Sequence, residues 1–219
     1  MQVNVEEALR YLGAGGPTPP ALRAQAETVA EELAATLEPR FVYKVCDLRR
    51  EGDAFAFEGT PVILTGHTAS RMLAQCDRGV LLACTLGAAF DARLRALRAR
   101  DMAKAVIWDA CGSAYVEQGC DRAEAEIAAR FPGLYLTDRF SPGYGDLPLA
   151  LQRDFGTALD MERWLGVHVS ENFFMTPVKT VTAVIGLSDR PQMARIRGCD
   201  YCALREHCHL RKGGKRCGM

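Results

Sequence analysis

Asp138-Arg-Phe-Ser-Pro-Gly-Tyr-Gly-Asp-Leu-Pro148 gathers two glycines, two prolines, two aspartates, an arginine and a tyrosine between a helical segment and the start of another helix. That composition predicts a rigid, ordered loop rather than a linker. Pro142 fixes φ, while Gly143 and Gly145 admit positive φ, so the backbone can turn inside out and offer its N–H and C=O groups to a ligand. Arg139 supplies a planar fork for a carboxylate or phosphate, and Tyr144 supplies a ring face and a hydroxyl. The same residues also make an ordinary surface turn with Arg139 in a salt bridge, and composition alone does not choose between the two.

Upstream of this loop, Met102 to Arg130 reads as one long helix. Ala103, Ile107, Ala110, Ala114, Glu117 and Asp121 recur at alternating spacings of four and three, which places them on one stripe. Glu117 is thereby carried toward an apolar seam, where a carboxylate either pairs with a neighbouring Arg or Lys or meets a ligand. Downstream, helices are expected from about 147 to 155 and from 158 to 165, the second stopped by Gly166. A short strand at 167–169 follows, and Ser170-Glu-Asn-Phe-Phe-Met-Thr-Pro177 leads into a Val- and Thr-rich strand over 179–187.

The first part of the chain opens with Asn4 and Glu7 in capping-box spacing before a short helix. A second helix is expected from Pro20 to Leu37. Phe41 to Leu48 reads as a strand, with shorter candidates at 54–57 and 61–65 that could join it in a small antiparallel sheet. Thr68 opens a helix to about Cys76. Gly79 to Thr85 is a continuous apolar run that fits a central buried strand, and a helix from about Ala88 to Arg98 follows. These elements divide the chain into an N-terminal helical segment (1–40), a core (41–190) and a tail (191–219).

The chain has 219 residues, 48% of them hydrophobic and 25% charged, which fits a soluble globular protein with a real core. Lys plus Arg equals Asp plus Glu at 27 each, which argues against a chain built chiefly to coat nucleic acid. No apolar run approaches the ~20 residues a bilayer needs, and the N-terminus lacks a basic-then-apolar signal, so a cytoplasmic location is expected. Of nine cysteines, Cys46, Cys76, Cys84, Cys111 and Cys120 sit inside apolar segments as small core residues. Cys199, Cys202, Cys208 and Cys217 instead cluster near the end in C-x2-C-x5-C-x8-C spacing, which in a cytosolic chain points to metal rather than disulfide.

Two blocks resemble a known family. Arg139-Phe-Ser-Pro-Gly143-Tyr144 resembles the Arg-x-x-Pro-Gly-Tyr signature of the S-adenosylmethionine-binding activation domain of cobalamin-dependent methionine synthase. Ser170-Glu171-Asn-Phe173-Phe-Met175-Thr-Pro177, followed by Val181, resembles that domain's Thr-Glu-Ser-Phe-x-Met-x-Pro block. Ser-Pro-Gly-Tyr-Gly-Asp-Leu-Pro-Leu, with Cys84-Thr-Leu-Gly87 upstream and a cysteine-rich end, looks like the stand-alone form of this family. The resemblance implies an α+β fold, a twisted antiparallel sheet edged by helices, with the ligand in a shallow groove. It implies that Arg139 holds the methionyl carboxylate, that Ser141, Gly143 and their neighbours offer backbone bonds, and that Tyr144 stands near the sulfonium in a catalytic role. The helix carrying Glu117 also resembles the helix that supplies an acidic contact in the family. The match has gaps. Gly133 and Ile185 stand where the full-length enzymes carry a glutamate and a tyrosine, and Asp146 is the acid available to compensate.

The function implied is reductive reactivation of methionine synthase or a related corrinoid protein, converting inactive cob(II)alamin on the partner to methylcobalamin with S-adenosylmethionine as methyl donor. Such a protein needs a donor site, a docking face for a cobalamin domain and an electron donor. The four tail cysteines suit an iron–sulfur centre that passes the electron, and equally a structural zinc. His207 and His209 flank Cys208. Two other readings are a non-catalytic metal-binding protein for a corrinoid partner and a zinc-dependent nucleic-acid module. The arginines and lysines around the cysteines favour the latter, and the neutral overall balance disfavours it.

Overall fold

The computed structural model describes residues 1–13 and 18–191. In chain order the elements are α1 (Val5–Tyr11), α2 (Pro20–Thr36), β1 (Arg40–Glu51), β2 (Ala54–Phe57), β3 (Ile63–Leu64), α3 (His67–Leu73), β4 (Arg78–Thr85), α4 (Ala88–Arg100), α5 (Met102–Arg130), β5 (Tyr135–Leu136), α6 (Leu151–Leu159), α7 (Met161–Leu165), β6 (His168–Val169), β7 (Met175–Thr176) and β8 (Thr180–Ser188). Six strands form one sheet in the order β3-β2-β1-β4-β8-β5, and β6 and β7 make a separate two-stranded sheet. The pairs β1–β2, β2–β3 and β5–β8 are antiparallel. The class is α+β, as expected. The 41–48, 54–57 and 61–65 strands pair antiparallel as expected, but as one side of this six-stranded sheet rather than as a small separate one.

β4 and β8 hold interior positions in the sheet. Every residue from Gly79 to Thr85 and from Thr182 to Ser188 is buried, so neither strand alternates. That is why both read as unbroken apolar or Val/Thr runs.

By compactness the chain falls into two units. The first comprises Met1–Val42, Ala83–Ala125 and Asp160–Val181; the second comprises Tyr43–Leu82, Glu126–Leu159 and the described residues from Thr182 onward. In the first unit, Trp108 of α5 is buried and stacked on Phe90 of α4 with ring centroids 5.8 Å apart. Glu32 of α2 ties both helices in by accepting from Arg93 and from Lys104, which together hold its carboxyl below the usual range, Lys104 contributing most. The first residues form a strap on α5: Gln118 accepts the Asn4 N–H at 2.9 Å and donates to the Gln2 carbonyl at 2.9 Å. The Asn4 side chain caps α1 by accepting the Glu7 N–H at 3.1 Å. The reciprocal half of a capping box is missing, because Glu7 pairs with Arg10 instead.

In the second unit, Phe55, Phe57, Leu64, Met72, Leu73 and Leu81 are fully buried. Each such side chain contributes roughly 1.5–3 kcal/mol on leaving water. Gly79 is required where it stands, since a Cβ there would lie 2.5 Å from the Phe57 ring.

The segment after the loop differs from expectation. α6 starts at Leu151 rather than 147, because the backbone from Gly143 to Leu147 closes on itself in turns: Gly143 donates to the Leu147 carbonyl and Leu147 to that of Tyr144. The break between α6 and α7 falls at Asp160, whose φ is 47°, a left-handed conformation that ends one helix and starts the next. Gly166 caps α7 with φ 68°, as expected. β5 and β7, two residues each, carry no sequence signal of their own; pairing with β8 and β6 makes them strands.

Candidate functional site

The Asp138–Pro148 loop belongs to the second unit and is pinned at two places. On its N-terminal side, Thr137 donates its N–H to the Gly186 carbonyl and accepts the Gly186 N–H on Oγ1 at 2.8 Å. Phe140 then exchanges two backbone hydrogen bonds with Val184 at 3.0 and 2.8 Å. The chain leaving β5 therefore stays bonded to β8 as far as Phe140, which is buried.

On its C-terminal side the loop docks on the start of α3. The N-cap of α3 is Gly66, which has no side chain to offer. Asp146 takes that role from the far end of the loop, its Oδ2 accepting the His67 N–H and its Oδ1 the Thr68 N–H at 3.0 Å. A hydrogen bond from the Thr68 hydroxyl is the largest cause that holds the Asp146 carboxyl below its usual range, and the backbone bonds add to it. The fit is close on both sides. A Cβ on Gly66 would lie 2.5 Å from Asp146 Oδ2, and a Cβ on Gly145 would lie 2.6 Å from Thr68 Oγ1. Gly66 and Gly145 also have φ of 97° and 60°, so glycine is favoured at both twice over. Asp146, read from sequence as an acid available to a ligand, is instead the cap of α3. The expected helix start at Thr68 is one residue late for the same reason.

Between these anchors the candidate residues sit at different depths. Arg139 is buried, 9% exposed, and already engaged within the protein. Ser141 is half-buried and accepts the Tyr144 N–H at 3.2 Å. Gly143 is exposed with φ 90°, and Tyr144 stands out at 73% exposed. Arg139, Ser141, Gly143 and Tyr144 thus lie on one short strip, with Arg139 buried and Tyr144 exposed.

Glu117 belongs to the first unit. Its stripe on α5 is buried at Ile107, Ala110 and Ala114 and emerges toward Asp121, which leaves Glu117 half-buried. Tyr11 of α1 feels its charge: desolvation first, then Glu7 and Glu117, push the phenol up to about 12.

The Ser170–Pro177 block is also in the first unit. It forms the β6–β7 hairpin, closed by the Ser170 N–H to the Phe174 carbonyl at 2.9 Å and by Phe174 N–H to Ser170 Oγ at 3.0 Å, with Phe173 left-handed at φ 64°. Glu171 is exposed in its turn. The residues after it enter a polar junction that the sequence did not announce. Asp91 of α4, 7% exposed, accepts the Val178 N–H at 3.1 Å. Lys179 Nζ donates to Asp109 at 3.0 Å and to Ser113 at 2.9 Å. Thr85 Oγ1 meets Thr180 Oγ1 at 2.8 Å and accepts the Gly87 N–H at 3.1 Å. Thr85 and Gly87, from the Cys-Thr-Leu-Gly run, therefore share one hydrogen-bonded junction with the residues that follow the hairpin.

Cys46, Cys76, Cys84, Cys111 and Cys120 are reduced and buried. Among the described residues no group of three or more His, Cys, Asp or Glu could hold a metal ion, and no helix is long and apolar enough to cross a membrane. Cys199, Cys202, Cys208 and Cys217 lie outside the described residues.

No family model matches the chain, and no curated protein matches it. Among solved structures, it is similar to the crystal structure of the MetH reactivation domain bound to AdoHcy, with a TM-score of 0.67 at 17% identity, over 98% of this chain and 85% of that one. At that identity the likeness speaks for architecture: the chain has the α+β fold of that reactivation domain.

Proposed function

We propose that the chain binds S-adenosylmethionine on the Arg139–Tyr144 loop and uses it to return a cobalamin-dependent methionine synthase, or a related corrinoid protein, to its methylated state. The observation that carries this reading is the loop itself. An Arg-x-x-Pro-Gly-Tyr strip is held at one end by the Phe140–Val184 bridge and at the other by Asp146, which fixes its geometry before any ligand arrives. The fold shared with a reactivation domain crystallised with AdoHcy, the product left when this donor gives up its methyl group, supports it further.

In this reading Arg139 pairs with the methionyl carboxylate, backbone groups around Ser141 and Gly143 bond the ligand, and the Tyr144 ring meets the sulfonium cation. Glu117 is the acidic contact. The reaction balances as follows: cob(II)alamin on the partner gains one electron from a reductant, the resulting Co(I) pair attacks the donor's methyl carbon, and the S–CH3 bond breaks with its pair left on sulfur. The protein's share is to bind and orient the donor. Cys199, Cys202, Cys208 and Cys217 are proposed to hold a metal centre, for which four thiolates suit iron–sulfur or zinc.

Calorimetry with S-adenosylmethionine, with and without a cobalamin-loaded methionine synthase, tests the donor site. Saturable binding is expected, and its absence under both conditions ends the proposal. Single-turnover formation of methylcobalamin from the Co(II) partner, donor and reductant tests the reaction; binding of the partner without methyl transfer leaves a non-catalytic interaction protein. Metal analysis with a visible spectrum of anaerobically purified protein decides the tail. Stoichiometric zinc with no visible absorbance excludes iron–sulfur.

A further inference from the structure

In the first unit, residues of α1, α4 and α5 enclose a groove of about 530 Å³. Its walls include Tyr11, Met102 and Val106, which are 47%, 60% and 52% exposed. Exposed apolar side chains gathered in one concavity offer a floor on which apolar side chains of another molecule can pack.

The groove's charges are unevenly committed. Asp109 is the only acid among its described lining residues, and it is paired with Lys179 at 3.0 Å. Glu117, whose charge Tyr11 feels, is already engaged by the protein. Arg98, on the rim, makes no hydrogen bond or ion pair among the described residues, and neither does Arg95, one turn earlier on the same face of α4. The cleft is thus apolar along Met102 and Val106, with Arg98 in its lining and Arg95 one turn away on α4, neither with a charge partner among the described residues.

We propose that this groove docks an amphipathic helix of a partner protein, with apolar side chains seated on Met102 and Val106 and carboxylates on the flank that meet Arg98 and Arg95. A second copy of this chain fits less well, because a two-fold contact through the groove sets each copy's arginines against the other's. Nucleic acid fits less well too, because phosphates have no use for an aliphatic floor. The inference stands apart from donor binding by the Arg139 loop and does not need it.

The test uses the full chain and a fluorescein-labelled synthetic helix with leucines at i and i+4 and glutamates at i+3 and i+7, read by fluorescence anisotropy. The expected result is saturable binding that weakens with salt and falls about tenfold or more when the glutamates are replaced by lysine or the leucines by serine. Arg98→Glu and Val106→Asp should each cause a similar loss at an unchanged unfolding midpoint, since both positions are exposed. Arg95→Glu/Arg98→Glu should reverse the preference and favour the lysine peptide. The proposal is overturned if the glutamate and lysine peptides bind alike, or if Val106→Asp leaves binding intact. It is equally overturned if an oligonucleotide displaces the peptide in an Arg98-dependent way, or if sedimentation shows a self-association that Val106→Asp abolishes.

Discussion

The Asp146 carboxylate and the Thr68 N–H are 78 residues apart in the chain and meet at 3.0 Å. Through this contact the loop carrying Arg139 and Tyr144 borrows its rigidity from α3, and α3 borrows its N-cap from the loop. Each satisfies what the other lacks. The first N–H groups of a helix need acceptors, and a glycine-rich loop needs a fixed point.

Removing that carboxylate should be felt by both partners. Asp146→Ala is expected to destabilise the chain by about 1 kcal/mol at neutral pH, and Asp146→Asn by less, because an amide oxygen still accepts one bond. The bonds to Thr68 and His67 lower the folded-state pKa of Asp146, so its stabilisation is present above the unfolded value and is lost as pH falls through the lower folded one. Urea unfolding of both proteins checks this: the gap between wild type and Asp146→Ala should be open at pH 7 and narrow in strong acid. Equal midpoints at pH 7 would remove Asp146 as a cap.

The close approach of Gly145 and Thr68 makes a double-mutant cycle informative. Gly145→Ala places a methyl 2.6 Å from Thr68 Oγ1 on a backbone with φ 60°, and should cost about 1–3 kcal/mol from strain and overlap together. Thr68→Ala removes the overlap and leaves the backbone strain. Gly145→Ala/Thr68→Ala is therefore expected to lose less than the sum of the single changes, with a coupling of about 0.5 kcal/mol or more from unfolding curves. Strict additivity would mean that the loop moves away from α3 without penalty.

How much of this could be read from the residues follows from what each element depends on. β4 was legible because a strand buried on both faces must be apolar throughout, and α5 because its stripe keeps helical spacing from Ala103 to Asp121, about five turns. The Asp138–Pro148 loop declared its rigidity through its prolines and glycines. Its docking on α3 was hidden, since a helix capped from a distant loop has only a glycine where a local capping residue belongs. The junction of Asp91, Lys179 and Thr85 was hidden for the same reason: each residue looks ordinary in its own segment. β5 and β7 owe their existence to their partners and have no pattern to detect.

On the proposed function, Arg139 and Tyr144 should separate binding from reaction. Losing Arg139 leaves a donor carboxylate without its charged partner at a residue that is only 9% exposed, so Arg139→Ala should weaken S-adenosylmethionine binding by about 2–4 kcal/mol. Tyr144→Phe keeps the ring that faces the sulfonium and removes only the hydroxyl, so it should spare the dissociation constant more than the single-turnover rate. An unchanged dissociation constant in Arg139→Ala, with the fold intact by circular dichroism, takes Arg139 out of the site.

The buried thiols give a prediction that depends on the core alone. Burial pushes Cys76, with help from the Asp77 charge, and Cys111 from the ordinary 9.0 up to about 11, and it raises Cys46 as well. The thiolate is the reactive form, so at pH 7.5 these side chains are both shielded and almost wholly protonated. Iodoacetamide followed by peptide mapping should leave Cys46, Cys76, Cys84, Cys111 and Cys120 unmodified in the folded chain and modify all five in denaturant. The same shifts set a stability trend at high pH. A thiol whose folded pKa is raised stabilises the fold fully below its unfolded value and loses that contribution as pH climbs from about 9 toward about 11. Unfolding midpoints should therefore decline across that window, and Cys76→Ala/Cys111→Ala should decline less steeply from its own lower starting point. Rapid labelling of Cys111 in the native chain at pH 7.5 would show that α5 opens where Cys111 is closed off.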